Sequence, residues 1–332
     1  MAKDRYRINS LTIQQAEILQ DIFDRSRAFD FSHLDNRQSS RSMKAGVNEG
    51  QLKRIEFITL ALAGEIGEFA NKVKKTRRAV WMGKELKYSL QEGDEEIGDI
   101  FAYLLKLSNV LGKDLDEMYL EKVSDNYVRF PVSGKGKSKC KILTISGPPG
   151  SGKTSVVNNL SKEFQTYTED VKHNPFIQDI SRKRNEFRAV ENQNWFLDRL
   201  ETFLDAADPT AHLVIDQDPA AIVKVYCRLY RDNGSIDCQS YMGYLKRLID
   251  IEIKLNKWGG GRQAIMLDAP AEILFKRVKE TASWRKPPLE WFESVRNYFQ
   301  EFRKRVGNIP TLDTNRTSSR EITKIAINSL TQ

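Results

Sequence analysis

The stretch that decides the fold of this chain is Lys141-Ile142-Leu143-Thr144-Ile145-Ser146, followed at once by Gly147-Pro148-Pro149-Gly150-Ser151-Gly152-Lys153-Thr154. The first part is a short β-rich run, and the second matches the pattern G-x-x-x-x-G-K-[ST] at every fixed position. Glycines let successive backbone N–H groups turn towards phosphate oxygens, and the amino terminus of a following helix adds partial positive charge. The sequence therefore predicts a strand, a phosphate-binding loop and a helix, in that order.

The side chains of this loop indicate that the phosphates belong to a nucleoside triphosphate. Lys153 is expected to reach the β- and γ-phosphates, and the Thr154 hydroxyl is expected to ligate Mg²⁺. Such a loop does not by itself separate a kinase from an ATPase motor or a switch. The predicted ATP-binding residues are Gly147, Gly150, Ser151, Gly152, Lys153 and Thr154.

Strand-like runs alternate with helical stretches in the second half of the chain. Apolar runs at 141–146, 212–216 and 263–268 are each followed by a turn and then by helix-compatible sequence. Strands that are buried on both faces and separated by helices form parallel sheets with helices on both sides. Residues 140–332 are therefore predicted to form an α/β domain with a parallel sheet.

The first half of the chain has a helical pattern instead. Apolar residues recur at three- and four-residue spacing, which predicts helices near residues 13–23, 55–73, 95–111 and 115–128. The stretch 131–139 then combines Pro, Gly, Ser and Lys and has no periodicity, as is typical of an exposed linker. We therefore predict an all-α helical bundle at residues 1–130, joined by this linker to the α/β domain.

Composition narrows the class of protein further. No apolar run approaches the roughly 18 residues of a membrane-spanning helix, and the amino terminus is polar, so we expect a cytoplasmic protein. Three cysteines without metal-type or redox-type spacing argue against a disulfide framework or a zinc site. The net charge of +8 would attract polyanions, but the basic clusters are scattered and lack interleaved aromatic residues. We therefore do not expect nucleic acid as a partner.

From about residue 140 to 330 the chain resembles the deoxynucleoside kinase and thymidylate kinase branch of P-loop kinases. The resemblance rests on Thr168-Glu169-Asp170, on the stretches 193–199 and 215–218, and on Leu267-Asp268-Ala269-Pro270 leading into Phe275-Lys276-Arg277. It implies that ATP is the phosphoryl donor. It also implies that the acceptor is a (deoxy)nucleoside or a (deoxy)nucleoside monophosphate.

The kinase resemblance also implies roles for single residues. The family's acid after the second strand takes the proton from the acceptor, a role that falls to Glu169. Gln193 would read the acceptor base, and Asp216 would contact Mg²⁺ or the acceptor. Arg277 and Arg285 lie where the family carries a cationic lid over the phosphates.

One position departs from the kinase pattern. Gln217 stands where the family has an arginine that stabilises phosphate charge. Two interpretations therefore stay open for this domain. It is either an active kinase, with the usual or an unusual acceptor, or a domain that binds ATP as a regulatory signal.

Paired carboxylates stand out in the first half. Glu65 and Glu68 are three residues apart on one predicted helix, and Glu96 and Asp99 repeat this spacing on the next, so each pair leaves one helix face. Apolar residues surround both pairs, and partly buried carboxylates repel each other unless a cation neutralises them. The sequence therefore predicts a catalytic Mg²⁺ or Mn²⁺ site in the helical bundle, with these four acids as ligands.

The pattern E-x-x-E followed by E-x-x-D resembles the MazG-like nucleoside triphosphate pyrophosphohydrolases over about residues 11–130. It implies a metal-dependent hydrolysis of a (d)NTP to the monophosphate and pyrophosphate, in a helical domain that assembles as dimers or tetramers. Asn126 and Arg129 would hold substrate. Gly64 stands where the family often has an acid, and Glu95 is an additional acid.

The two halves together predict a bifunctional enzyme of nucleotide metabolism that forms homo-oligomers through its helical domain. One rival interpretation is a pyrophosphohydrolase regulated by ATP on a non-catalytic second domain, which the departure at Gln217 favours. A further rival is an ATPase stimulated by nucleic acid.

Overall fold

The computed structural model describes residues 48–84, 93–129, 139–177, 188–281, 287–307 and 309–331. The chain divides into two compact units, the first ending at Tyr119 and the second beginning at Leu120. The helix predicted near residues 13–23, nearly all of the predicted linker, and Arg285 lie outside the described residues.

The secondary-structure elements described in the first unit are helices, as predicted. It contains α1 (Glu49–Trp81), α2 (Asp94–Leu111) and the first residues of α3 (Leu115–Arg129). Asn48 begins α1 because its side chain accepts a 2.8 Å hydrogen bond from the backbone amide of Gln51, whose side chain accepts one in return. Helices α1 and α2 pack against each other.

A five-stranded parallel sheet organises the second unit, as the sequence predicts. Its strands lie in the order β2-β3-β1-β4-β5, and every pairing between neighbours is parallel. The bounds are Ile142–Ser146 for β1, Gln165–Tyr167 for β2, Leu213–Asp216 for β3, Arg262–Asp268 for β4 and Thr311–Asp313 for β5.

Helices cover both faces of this sheet. They are α4 (Lys153–Leu160), α5 (Ala189–Ala206), α6 (Pro219–Ala221), α7 (Arg228–Asp232), α8 (Cys238–Leu255), α9 (Ala271–Thr281), α10 (Leu289–Val306) and α11 (Ser319–Thr331). A π-helical segment, Ile222–Cys227, joins α6 to α7. Among the helices that the structure describes, none combines the length and apolarity that a membrane crossing requires.

Alternating side chains of the central strands enter two separate cores. Ile142, Leu213 and Ile215 belong to the core on one face, whereas Leu143 and Ile145 belong to the core on the other. Both sets are buried, which is why these strands are apolar without a polar face. The strand β1 ends at Ser146, so the glycine-rich loop starts at the carboxyl edge of the sheet, where open α/β folds bind ligands.

Candidate active site

The glycine-rich loop has a backbone that side chains would obstruct. Gly147 has φ +152° and Gly150 has φ +80°. A Cβ atom on Gly147 would lie 2.1 Å from the carbonyl oxygen of Leu267, and one on Gly150 would lie 2.8 Å from that of Leu274. The loop therefore needs glycine at both positions to lie this close to β4 and α9.

Lys153 lies at the start of α4 with its ammonium group turned back over the loop. Its Nζ donates hydrogen bonds to the carbonyl oxygens of Gly147 at 2.8 Å and Pro148 at 3.3 Å. Only 9% of the residue is exposed. This position brings a buried positive charge to the place where phosphates are expected.

Thr154 and Asp216 form the polar floor of the site. The Thr154 hydroxyl donates a 2.7 Å hydrogen bond to Oδ2 of Asp216, the last residue of β3. Oδ1 of Asp216 is buried and has no hydrogen-bond partner among the described residues. Burial raises the pKa of this carboxyl, although Lys153 and Thr154 act in the opposite direction. A carboxylate oxygen that lacks a partner beside a threonine hydroxyl fits Mg²⁺, which takes oxygen ligands.

A cavity of about 250 Å³ brings the loop together with the predicted acceptor residues. Lys153 and Thr154 line it on the side of the loop, and Glu169 and Gln193 line it as well. Lys153 and Thr154 are adjacent, whereas Glu169 and Gln193 come from separate, later parts of the sequence. The fold therefore assembles the residues that the sequence assigned separately to donor and acceptor.

Glu169 lies two residues after the end of β2 and is half-buried at the cavity. Its backbone amide interacts with the Asp216 carboxylate and lowers the pKa of that group. β2 and β3 are neighbouring parallel strands, so their carboxyl ends lie side by side. The interaction of Glu169 with Asp216 connects these two ends. The acid predicted as the base lies beside the predicted metal ligand.

Gln193 is buried on α5, and its neighbours fix it in place. It is 2% exposed, and the Cys227 thiol donates a weak 3.8 Å hydrogen bond to its Oε1. Burial raises the pKa of Cys227, so the sulfur remains a thiol donor at neutral pH. The next residue towards the amino terminus, Asn192, accepts a 3.0 Å hydrogen bond from Asn174.

Arg277 contacts the loop itself. Its guanidinium donates to the carbonyl oxygen of Gly150 at 3.3 Å, and to the hydroxyl and carbonyl oxygens of Thr314, both at 2.9 Å. These bonds connect α9 and the turn after β5 to the glycine-rich loop. The predicted lid partner, Arg285, lies outside the described residues.

Gln217 has an unusual conformation and surroundings. Its φ is +71°, whereas the other residues with a positive φ in the described part of the chain are glycines. The side chain is fully buried, and neither of its amide atoms finds a hydrogen-bond partner in the part of the chain that the structure describes. A non-glycine residue in this region costs free energy, which the surrounding structure must offset.

Asp218 stabilises this turn through a buried network that the sequence analysis missed. Its carboxylate accepts hydrogen bonds from the Thr144 hydroxyl at 2.6 Å and from the Ala220 amide at 2.8 Å. It also forms a 2.6 Å ion pair with Arg262, which pairs in turn with Glu252. These residues lie far apart in the sequence, and their spacing carries no signal of the contact.

The paired acids of the first unit influence one another electrostatically. Burial raises the pKa of Glu65, and the charges of Asp99, Glu68 and Glu96 raise it further. Lys72 forms an ion pair with Glu96, and hydrogen bonding to Lys72 lowers the pKa of that carboxyl. Among the described residues, no group of three or more His, Cys, Asp or Glu side chains is arranged to hold a metal ion. The structure thus brings the four acids near each other but does not assemble them as a ligand set.

The remaining predicted residues of the first half, Asn126 and Arg129, lie on α3. Both are exposed, and both belong to the second compact unit. Their predicted role in holding a substrate stays a prediction.

Comparison with known proteins finds one family. The family model for deoxynucleoside kinase matches residues 143–329. Among solved structures, the deoxyadenosine kinase from M. mycoides with bound dCTP is 19% identical, and the match covers 57% of this chain and 98% of that chain with a TM-score of 0.45. The same kinase with bound dATP is 18% identical, with coverage of 57% and 99% and a TM-score of 0.47.

No curated protein matches the chain. The family match begins at residue 143, and these comparisons give no support to the pyrophosphohydrolase resemblance drawn for residues 11–130.

Proposed function

Because the chain belongs to the deoxynucleoside kinase family, we propose that its second unit transfers the γ-phosphoryl group of ATP to the hydroxyl of a deoxynucleoside. The observation that carries this proposal is the single cavity lined by Lys153, Thr154, Glu169 and Gln193. The residues that bind the phosphoryl donor and those that bind the acceptor would thus line the same cavity. Holding two substrates in the correct orientation lowers the barrier of their reaction.

On the donor side, the backbone amides of the loop and Lys153 would bind the β- and γ-phosphates. Thr154 and Asp216 would hold Mg²⁺, which neutralises developing charge on the phosphates when bound. Arg277 would act indirectly, because its bonds to Gly150 and Thr314 hold the loop in shape.

On the acceptor side, Glu169 would orient the hydroxyl and take its proton. As the acceptor oxygen bonds to the γ-phosphorus, the bond to the leaving oxygen of ADP breaks and the proton passes to the Glu169 carboxylate. The Gln193 amide would face the base of the acceptor. Its weak bond from Cys227 favours one orientation of the amide.

The charges of the cavity support a nucleoside over a monophosphate as the acceptor. Within the described residues, the charged side chains that line it are Lys153 and Glu169. Lys153 is expected to serve the triphosphate, so, among the described residues of the cavity lining, a phosphate on the acceptor would meet Glu169 without a cation of its own. Gln217 likewise supplies no charge where the family has an arginine.

The test is to incubate the full chain with ATP, Mg²⁺ and matched panels of deoxynucleosides and their monophosphates. Phosphorylation of a deoxynucleoside with a higher kcat/KM than its monophosphate supports the proposal. Lys153→Met should abolish the reaction. Tight ATP binding without phosphorylation of any acceptor would instead favour ATP as a regulatory signal.

As a second function we propose hydrolysis of (d)NTPs to monophosphate and pyrophosphate by the first unit. The observation that favours it is that the charges of Asp99, Glu68 and Glu96 raise the pKa of Glu65, because a divalent cation would relieve such repulsion. Glu68→Ala and Asp99→Ala should each abolish pyrophosphate release, whereas the neighbouring exposed acid in Glu95→Ala should matter little. Unchanged release in the first two variants would refute this function.

We also propose that the first unit assembles with further copies of the chain. Its described helices expose large apolar side chains, among them Leu60 at 73% and Trp81 at 89%. Apolar side chains that are exposed in the single chain would be buried if this unit packed against another copy. Sedimentation of the wild type and of Leu60→Ser would test the assembly, which a monomeric wild type would exclude.

A further inference from the structure

A buried ion-pair cluster joins α3 to the π-helical segment Ile222–Cys227. Nζ of Lys224 lies 2.6 Å from Oε2 of Glu121 and 3.0 Å from Oδ1 of Asp125, and the Lys224 side chain is 2% exposed. Glu121 and Asp125 are four residues apart on α3 and therefore share one helix face. Two carboxylates of α3 thus bind one buried ammonium group of the segment.

Further contacts fix Glu121 in this cluster. Lys224 also donates a 3.1 Å hydrogen bond to the backbone carbonyl oxygen of Glu121, and the Tyr241 hydroxyl donates to the Glu121 carboxylate. Burial alone would raise the pKa of Glu121, but Lys224, Tyr241 and Arg305 bring it below the ordinary value. Glu121 is therefore ionised at neutral pH, as the buried ammonium group requires.

The same π-helical segment forms part of the cavity wall. Ile222 and Tyr226 line the cavity, and Cys227 contacts Gln193. A π-helix has about 4.4 residues per turn, so residues four to five positions apart share a face and Lys224 between them projects elsewhere. The segment thus faces the cavity with one side and is held to α3 by the other.

We propose that Lys224, held by Glu121 and Asp125, is a positioning residue for the nucleoside acceptor. The inference rests on the proposed kinase function. A buried ammonium group that loses its carboxylates is costly, so the cluster favours one placement of the segment. Ile222, Tyr226 and the contact from Cys227 to Gln193 are thereby fixed relative to the acceptor. It follows that the end of α3, which precedes the family match, contributes to acceptor binding by the kinase.

The experiment uses the full chain and compares Lys224→Met, Glu121→Gln and the double variant. Lys246→Met on the exposed surface of α8 is the matched control, and Lys224→Arg tests rescue by a conserved charge. Thermal midpoints are measured first, and kinetics are then recorded well below the lowest midpoint. Lys224→Met should raise the acceptor KM about tenfold with the ATP KM within about twofold. The effects of the single variants should not add in the double variant, because the two residues are in contact.

Hydrogen exchange provides a readout that does not need the kinase reaction. Lys224→Met should speed amide exchange in residues 222–232, whereas residues 142–160 and the Lys246→Met protein should match the wild type. If Lys224→Met leaves both exchange and acceptor KM unchanged, or weakens ATP and acceptor equally, the positioning role is wrong. A wild type that phosphorylates no nucleoside would contradict the kinase proposal, and the exchange result would still decide whether Lys224 holds the segment.

Discussion

The Thr154 hydroxyl donates a hydrogen bond of 2.7 Å to Oδ2 of Asp216 and so joins the first turn of α4 to the end of β3. Asp216 ends β3, and Thr154 comes after the glycine-rich loop that follows β1, the parallel neighbour of β3. The bond leaves Oδ1 of Asp216 without a partner among the described residues. This pair is therefore the feature that most closely links the parallel sheet to the proposed metal-assisted phosphoryl transfer.

Asp216→Asn is expected to lower kcat at least about 100-fold, because it removes charge that would hold Mg²⁺. It should nevertheless stabilise the fold at neutral pH. Burial raises the pKa of this carboxyl above its ordinary 3.8, so the folded protein releases this proton at a higher pH than the unfolded chain does. The carboxyl thus stabilises the fold at low pH, and this contribution is lost as the pH rises.

Urea unfolding of the wild type and Asp216→Asn between pH 4 and pH 8 checks this behaviour. The free energy of unfolding of the variant should gain on that of the wild type as the pH rises. Asp250→Asn, which removes an exposed carboxyl on α8, serves as the control. A variant that loses stability relative to the wild type as the pH rises would contradict the assignment.

Glu169→Gln is expected to lower kcat by about 10²- to 10⁴-fold, the usual contribution of a general base. ATP binding should remain, because the loop and Lys153 are unchanged. Equilibrium binding of ATP and steady-state kinetics with saturating nucleoside separate the two effects. Glu163→Gln, an exposed acid just before β2, is the control. A Glu169→Gln enzyme with full kcat would exclude this base.

Gly147→Ala and Gly152→Ala are expected to differ although both glycines have positive φ. The Cβ atom at position 147 would lie 2.1 Å from the Leu267 carbonyl oxygen, whereas the one at position 152 would meet no atom within 4 Å. Gly152→Ala should therefore cost about 1–2 kcal/mol of unfolding free energy from the backbone conformation alone. Gly147→Ala should cost more and weaken ATP binding, because β4 or the loop must move. Equal losses in urea unfolding would refute this distinction.

Local sequence signals were enough to predict much of the fold. The apolar runs of β1, β3 and β4, the glycine-rich loop and the periodicity of α1 to α3 are all signals within a few residues of each other. The edge strand β5, Thr311–Asp313, escaped prediction because three half-buried residues show no apolar run. The π-helical segment escaped it for a related reason, since its sequence is compatible with an ordinary helix.

The site was predictable in part for the same physical reason. Lys153, Thr154, Glu169 and Gln193 belong to local motifs, and the fold brings them to one cavity. The contacts of Lys224 with Glu121 and of Arg262 with Asp218 join residues from distant parts of the chain. Such pairs follow only from the packing of helices and strands in three dimensions. Sequence spacing therefore identified the reactive groups but not the buried charges that support them.

Arg262→Met is expected to lower the free energy of unfolding by about 3–5 kcal/mol, the usual cost of leaving buried charge without its partner. The Arg262 side chain is 9% exposed and pairs with Asp218 at 2.6 Å and with Glu252 at 2.5 Å. Burial raises the pKa of Glu252 despite the opposing effect of Arg262, so this carboxyl depends on the guanidinium to stay ionised. Urea unfolding at neutral pH measures the loss.

The matched control for this variant is Arg316→Met, because the Arg316 side chain is 86% exposed and pairs with Asp313 at 3.5 Å. An exposed pair contributes at most about 1 kcal/mol, so the two variants should differ clearly. Adding Glu252→Gln to Arg262→Met should recover part of the stability, since one of the two stranded carboxylates is then neutral. If Arg262→Met costs no more than Arg316→Met, the network does not hold the turn at Gln217, and the backbone strain there must be offset by other contacts.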